Sequence, residues 1–135
     1  SEAGSLRPDD ARAPLGLATA LIAAKRENDA IRQLRRAVEL DPRLSDAHAE
    51  IGRILADRGE FAAAIESDNR ALTLEPASIS ARYNLATALA ASGKLDEAVQ
   101  AMETCLGHAR TAERSDLIPR IEDRLARLRA ERDRR

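Results

Sequence analysis

A thiol and an imidazole stand three residues apart in Cys105-Leu106-Gly107-His108, close enough on a helix to share one metal ion. Zinc takes four ligands, or three and a water, and no second ligand pair accompanies these two. Neither His108 nor the other histidine, His48, has a local carboxylate pair or a glycine-rich phosphate loop beside it. Nucleophilic catalysis needs a nucleophile, a base and an orienting group that converge, and the chain offers no such set. The expectation is no enzyme, no cofactor and no metal, with His48 as a packing residue and Cys105 as a packed, unreactive thiol. The arginine-rich end, Arg127 to Arg135, invites a nucleic-acid reading. Acidic residues interrupt it and no aromatic accompanies it for base stacking, so it reads as a solvated helix face that frays.

Elements must position whatever function these residues leave open, and composition bounds which elements. The 135 residues suit one domain and include 28 Ala and 20 Arg, with Phe61 and Tyr83 the entire aromatic set. That mix favours helix and argues against a β-sandwich, while a single cysteine argues against a disulfide scaffold. No apolar run approaches the ~20 residues that span a bilayer, and the polar start does not resemble a secretory signal. A net charge of −1 argues against a dedicated nucleic-acid or membrane binder, although residues 113–135, with 8 basic and 6 acidic groups, are mildly positive. One cysteine suits a reducing or an oxidising compartment alike. A start at Ser1 rather than Met raises the expectation of a fragment, and 20 Arg against 2 Lys fits a GC-rich bacterial coding sequence.

Self-similarity has one clear period. Arg36-Ala37-Val38-Glu39-Leu40-Asp41-Pro42 returns 34 residues later as Arg70-Ala71-Leu72-Thr73-Leu74-Glu75-Pro76. Leu17, Ala18 and Leu21 align with Ile51, Gly52 and Leu55, then with Leu85, Ala86 and Leu89. Each copy reads as two amphipathic helices. In the second copy Ala47, Ile51, Ile54 and Leu55 line one face, Gly59 stops the helix, and a second helix runs through Ala64, Ile65, Ala71 and Leu72 to Pro76. Ala18, Gly52 and Ala86, with Ala30, Ala64 and Ala98, mark crossings where axes approach toward the short end of the ~8–10 Å range.

This pattern resembles the tetratricopeptide repeat, over residues 11–112. The resemblance implies an all-α fold, an α-solenoid of three antiparallel helical hairpins (11–44, 45–78 and 79–112) with a C-terminal capping helix. Departures are local: Pro14 and His48 stand where the family often has an aromatic, Lys25 replaces a turn glycine, and Arg110 replaces the terminal proline, so that the helix there runs on. Asp68 falls where the other copies place Leu34 and Met102. A buried unpaired carboxylate costs several kcal/mol, so Asp68 is expected to find a donor or reach water.

Residues 1–10 are polar and expected to be disordered. Within 113–135, Ser115 or Asp116 offers an N-cap, Pro119 falls in the first turn, and Leu117, Ile121, Leu125 and Leu128 form a stripe that should pack on the last repeat. A helix with a charged outer face closes the open end of a solenoid.

The resemblance further implies that the first helix of each hairpin lines a concave groove for a protein or peptide partner. Carried over residue by residue, copy one supplies Arg12, Leu15, Thr19 and Ile22, and copy two supplies Asp46, Ala49, Arg53, Ala56 and Asp57. Copy three completes the lining with Ser80, Tyr83, Asn84, Thr87 and Ala91. Tyr83 is a natural anchor, Arg53 pairs with Asp57 or with a partner's carboxylate, and Asn84 could hold a peptide backbone. One subclass grips acidic chaperone tails with Lys, Asn, Asn, Lys and Arg. Leu15, Thr19, Glu50, Ser80 and Asn84 stand at the matching places, so such tails are not expected to bind. The leading expectation is a non-catalytic interaction scaffold with a protein partner and no nucleic acid or membrane. The alternatives are self-association, or attachment to an upstream domain, through Leu15, Leu17, Leu21 and Ile22, and an accessory segment of a larger enzyme.

Overall fold

The computed structural model describes residues 27–134, and every regular element in that span is helical. α1 (Glu27–Leu40) precedes α2 (Ser45–Asp57) and α3 (Phe61–Leu74), which are followed by α4 (Ile79–Ala91), α5 (Leu95–Thr111) and α6 (Ile118–Asp133). The expected N-terminal segment and the groove positions Arg12, Leu15, Thr19 and Ile22 lie outside the described residues.

Glycine sets two of the helix ends. Gly59 and Gly93 take φ of 81° and 86°, where a Cβ would be strained. The chain then turns back on itself: Gly59 N–H donates to Ala56 O at 3.0 Å and Glu60 N–H to Leu55 O at 2.9 Å, and Gly93 and Lys94 repeat the pattern on Ala90 and Leu89. α5 ends the same way without a glycine. Glu113 holds φ 56°, and Arg114 N–H reaches Ala109 O at 2.9 Å. With no proline at 110, α5 continues to Thr111. Neither Ser115 nor Asp116 caps α6. Residues 114–117 form a turn closed by Leu117 N–H on Arg114 O at 2.9 Å, so the helix starts one residue before Pro119 and Leu117 takes the cap position without a side-chain bond. Ser78, by contrast, caps α4 by accepting from Ala81 N–H at 3.2 Å.

Each helix packs on its neighbours in the chain, and α2 also lies against α4. Small residues make that closeness feasible: Ala30, Ala64, Ala86 and Ala98 are all fully buried. One apolar cluster joins α4, α5 and α6 through Leu85, Met102, Cys105, Ile121, Leu125 and Leu128. A second joins α1, α2 and α3 through Ile31, Leu34, Ile51, Ile54 and Ala64. His48 is buried with Nε2 3.3 Å from Pro42 O.

Asp68 corrects the sequence expectation. It neither finds a donor nor reaches water: its exposure is 0 %, and neither carboxyl oxygen has a hydrogen-bond partner. Burial pushes this carboxyl up to about 8. Room for it comes from α2, where a Cβ on Gly52 would fall 2.7 Å from Asp68 Cγ and 3.1 Å from Ala64 O.

Candidate functional site

α2, α4 and α6 together enclose a concave pocket of about 370 Å³. α2 contributes Arg53, α4 contributes Ile79, Ser80, Tyr83 and Asn84, and the C-terminal segment contributes Leu117, Arg120 and Ile121. The helical period explains the α4 set, since 79, 80, 83 and 84 fall on one stripe. Ile79, Tyr83 and Leu117 are half-buried and pack onto the α4–α6 core, so the pocket floor is continuous with that core. Tyr83 thus leans on the core rather than standing clear of it.

Polar groups here are unequally committed. Arg53 Nη1 donates to Asp57 Oδ2 at 3.0 Å, while its Nε and Nη2 reach Glu50 at 3.4 and 3.3 Å. Partial burial pulls the Arg53 pKa down, but the bond to Glu50 and the charges of Glu50, Asp57 and Glu27 outweigh it and hold the guanidinium charged. Asn84 spends an amide proton on Ala49 O at 3.3 Å, which ties α4 to α2 and removes a donor from any peptide contact.

Of the positions expected along the groove, Arg53, Ser80, Tyr83 and Asn84 come together. Ala49 does not line it: the close approach of α2 and α4 buries it to 4 %. Asp46 is exposed away from the pocket, and Asp57 touches it only through Arg53. Thr87 donates to Tyr83 O at 3.1 Å and lines a neighbouring hollow of about 320 Å³ with Ala91, Arg124, Arg127, Leu128 and Glu131. Leu117, Arg120 and Ile121 are the residues sequence reasoning missed. Leu117 and Ile121 belong to the stripe expected to pack on the last repeat and Arg120 to the charged face behind it, and nothing in that period says that the edge between them also walls a groove.

Cys105 is buried, with Sγ 3.5 Å from Ile79 O, and burial pushes its thiol up to about 11. Among the described residues no group of three or more His, Cys, Asp or Glu could hold a metal, and no helix is long and apolar enough to cross a membrane.

Antiparallel helical hairpins stacked side by side define an α-solenoid protein of the repeat class. Residues 52–93 match a family model described as a TPR repeat, and residues 79–109 match one described as a tetratricopeptide repeat. The two models together place tetratricopeptide repeats over residues 52–109. No curated protein sequence matches it. Among solved structures it is similar to MamA at 26 % identity and TM-score 0.76, over 82 % of this chain and 64 % of that one, so it spans somewhat under two thirds of MamA. Similarity of fold extends to the TPR2B domain of yeast Sti1 in complex with pHsp70, at 16 % identity and TM-score 0.85, over 90 % and 97 % of the two chains. It extends also to the Yersinia enterocolitica type III secretion translocator chaperone SycD, at 18 % identity and TM-score 0.85, over 95 % and 89 %. SycD with a peptide of the translocator YopD is similar at 19 % identity and TM-score 0.81, over 90 % and 93 %.

Proposed function

We propose that the protein is a non-catalytic scaffold that takes a segment of another protein into the pocket between α2, α4 and α6. The observation that carries this reading is the joining of Tyr83 and a half-buried apolar floor with guanidinium groups at the rim. An aromatic anchored on a rigid helix buries much area at low entropy cost, which is what a binding hot spot requires. Two similar structures are complexes, Sti1 TPR2B with pHsp70 and SycD with a YopD peptide, which supports a peptide-binding use of this fold. Among the described residues no convergent nucleophile and base line the pocket, and this favours recognition over chemistry.

The test is photocrosslinking. Benzoylphenylalanine in place of Tyr83 should label a partner segment in cell extract, and the same group at the exposed outer position Gln100 should not. The combined Tyr83→Ala and Arg53→Ala substitution should release that partner from an affinity column. Equal labelling from both positions, or undiminished retention by the double variant, would reject the groove as the site.

A further inference from the structure

The two hollows lie in series along one seam. Tyr83 and Thr87 sit one turn apart on α4, and Arg120 and Arg124 sit one turn apart on α6, so the Tyr83–Arg120 pocket and the Thr87–Arg124 hollow are neighbours along the α4–α6 seam, and the pair is called the α4–α6 trough. Its chemistry is apolar at the Tyr83 end, where Ile79, Leu117 and Ile121 complete the wall.

Charge is divided across this trough. On the α2 side Arg53 is saturated by Glu50 and Asp57. On the α6 side the carboxylates are already engaged: Asp116 by Arg114 at 3.0 Å, Glu122 by Arg110 at 3.1 Å, Asp123 by Arg127 at 3.3 Å, and Glu131, which lines the far end of the Arg124 hollow, in an interaction of its own. Arg120 is left with no hydrogen bond or ion pair among the described residues. Among the described residues Arg124 has no hydrogen bond or ion pair either, and its Nε is buried. An arginine fork beside an apolar wall is well matched to a carboxylate, which it can hold through two parallel bonds.

We propose that the α4–α6 trough selects a protein segment in which an apolar side chain, seated on Tyr83, is followed within one turn or a few extended residues by carboxylates that pair with Arg120 and Arg124. This rests on the groove reading above and adds the chemistry of the partner. The carboxylate is met by the closing helix, not by the places where the chaperone-tail subclass of the family carries its clamp. Those places hold Glu50, Ser80 and Asn84 here, on α2 and α4. Two arginines whose Cβ atoms stand about 6 Å apart, as i, i+4 spacing on a helix places them, would accept two carboxylates of one segment.

The probe is an array of synthetic dodecapeptides with a central Leu or Phe, in which one or two positions on its C-terminal side are Asp, Glu, Asn, Gln or Lys. The expected result is retention of the Asp and Glu peptides, weaker by about tenfold for the Asn and Gln isosteres and by more for Lys. Arg120→Gln should erase the carboxylate preference and Arg120→Lys should restore part of it. Arg36→Gln, on exposed α1 surface, should leave it in place. Equal retention of all peptides, or an equal loss with Arg36→Gln, overturns the proposal. The Tyr83 crosslink separates the two failures: a crosslinked segment without carboxylates sinks this inference alone, and absence of any crosslink sinks the groove reading with it.

Discussion

Asp68 is held without a single hydrogen bond at a place where the third hairpin packs Met102. The two hairpins solve one crossing differently: Ala86 pairs with Met102, whereas Gly52 gives up its Cβ so that a carboxyl fits. An ionised carboxylate there is costly, and burial accordingly keeps the proton on to about 8, against an ordinary value of 3.8. The sign of the stability effect follows. Between about 4 and 8 the folded chain binds a proton that the unfolded chain has lost, so stability falls as pH rises across that window and levels off above it. The total is on the order of 5 kcal/mol at most, which is large against the marginal stability of a domain. Urea unfolding at several pH values should therefore show a decline in the wild type that is missing in Asp68→Asn. A decline of the same size in both would show that Asp68 is not its source. The sequence made the misfit at 68 visible, because the 34-residue register placed it opposite Leu34 and Met102. It could not show that the misfit goes unrelieved, since that depends on which side chains of α1, α2 and α4 reach the site.

Helix ends divide between those announced by a residue type and those that are not. Gly59 and Gly93 were legible because a left-handed turn selects the residue without a Cβ, and the structure gives both positive φ. Glu113 adopts the same conformation, φ 56°, with nothing in its side chain to signal it. α5 simply runs until the apolar stripe of α6 must fold back onto it, and the residue that falls at the turn takes the strain. Ser115 and Asp116 looked like caps by type, but the turn on Arg114 carries the chain past them. For the same reason the periodicity of α6 showed what it buries but not that its edge walls the Tyr83 pocket, which depends on how α6 crosses α4. A left-handed L-residue costs about 1–2 kcal/mol, partly offset when glycine adds about 0.5–1 kcal/mol of unfolded-state entropy. Glu113→Gly should thus raise the urea midpoint by the equivalent of about 0.5–1 kcal/mol at constant m-value, while Glu113→Ala should not. A lowered midpoint for the glycine variant would show that the Glu113 side chain makes a stabilising contact.

At the scale of the whole molecule, packing between chain neighbours makes stability a sum of local terms and interfaces between them, so one hairpin can loosen without the rest. The buried carboxyl belongs to the α2–α3 hairpin, and the α4–α6 core is built from apolar side chains and a thiol that burial keeps protonated up to about 11. Local opening of α3 frees Asp68 to ionise, whereas opening of α5 releases no proton below pH 8. Native-state hydrogen exchange, corrected for the intrinsic pH dependence of the amides, can read each hairpin separately. Opening free energies at Ala64, Ile65, Ala71 and Leu72 should fall as pH is raised from 5 to 8. Those at Met102, Cys105 and Leu106 should stay level over the same range. Asp68→Asn should flatten the α3 response and leave α5 unchanged. A parallel fall in α3 and α5 would mean that the described helices open as one cooperative unit, in which case the buried carboxyl acts on the whole stack and the Tyr83 trough would loosen with it.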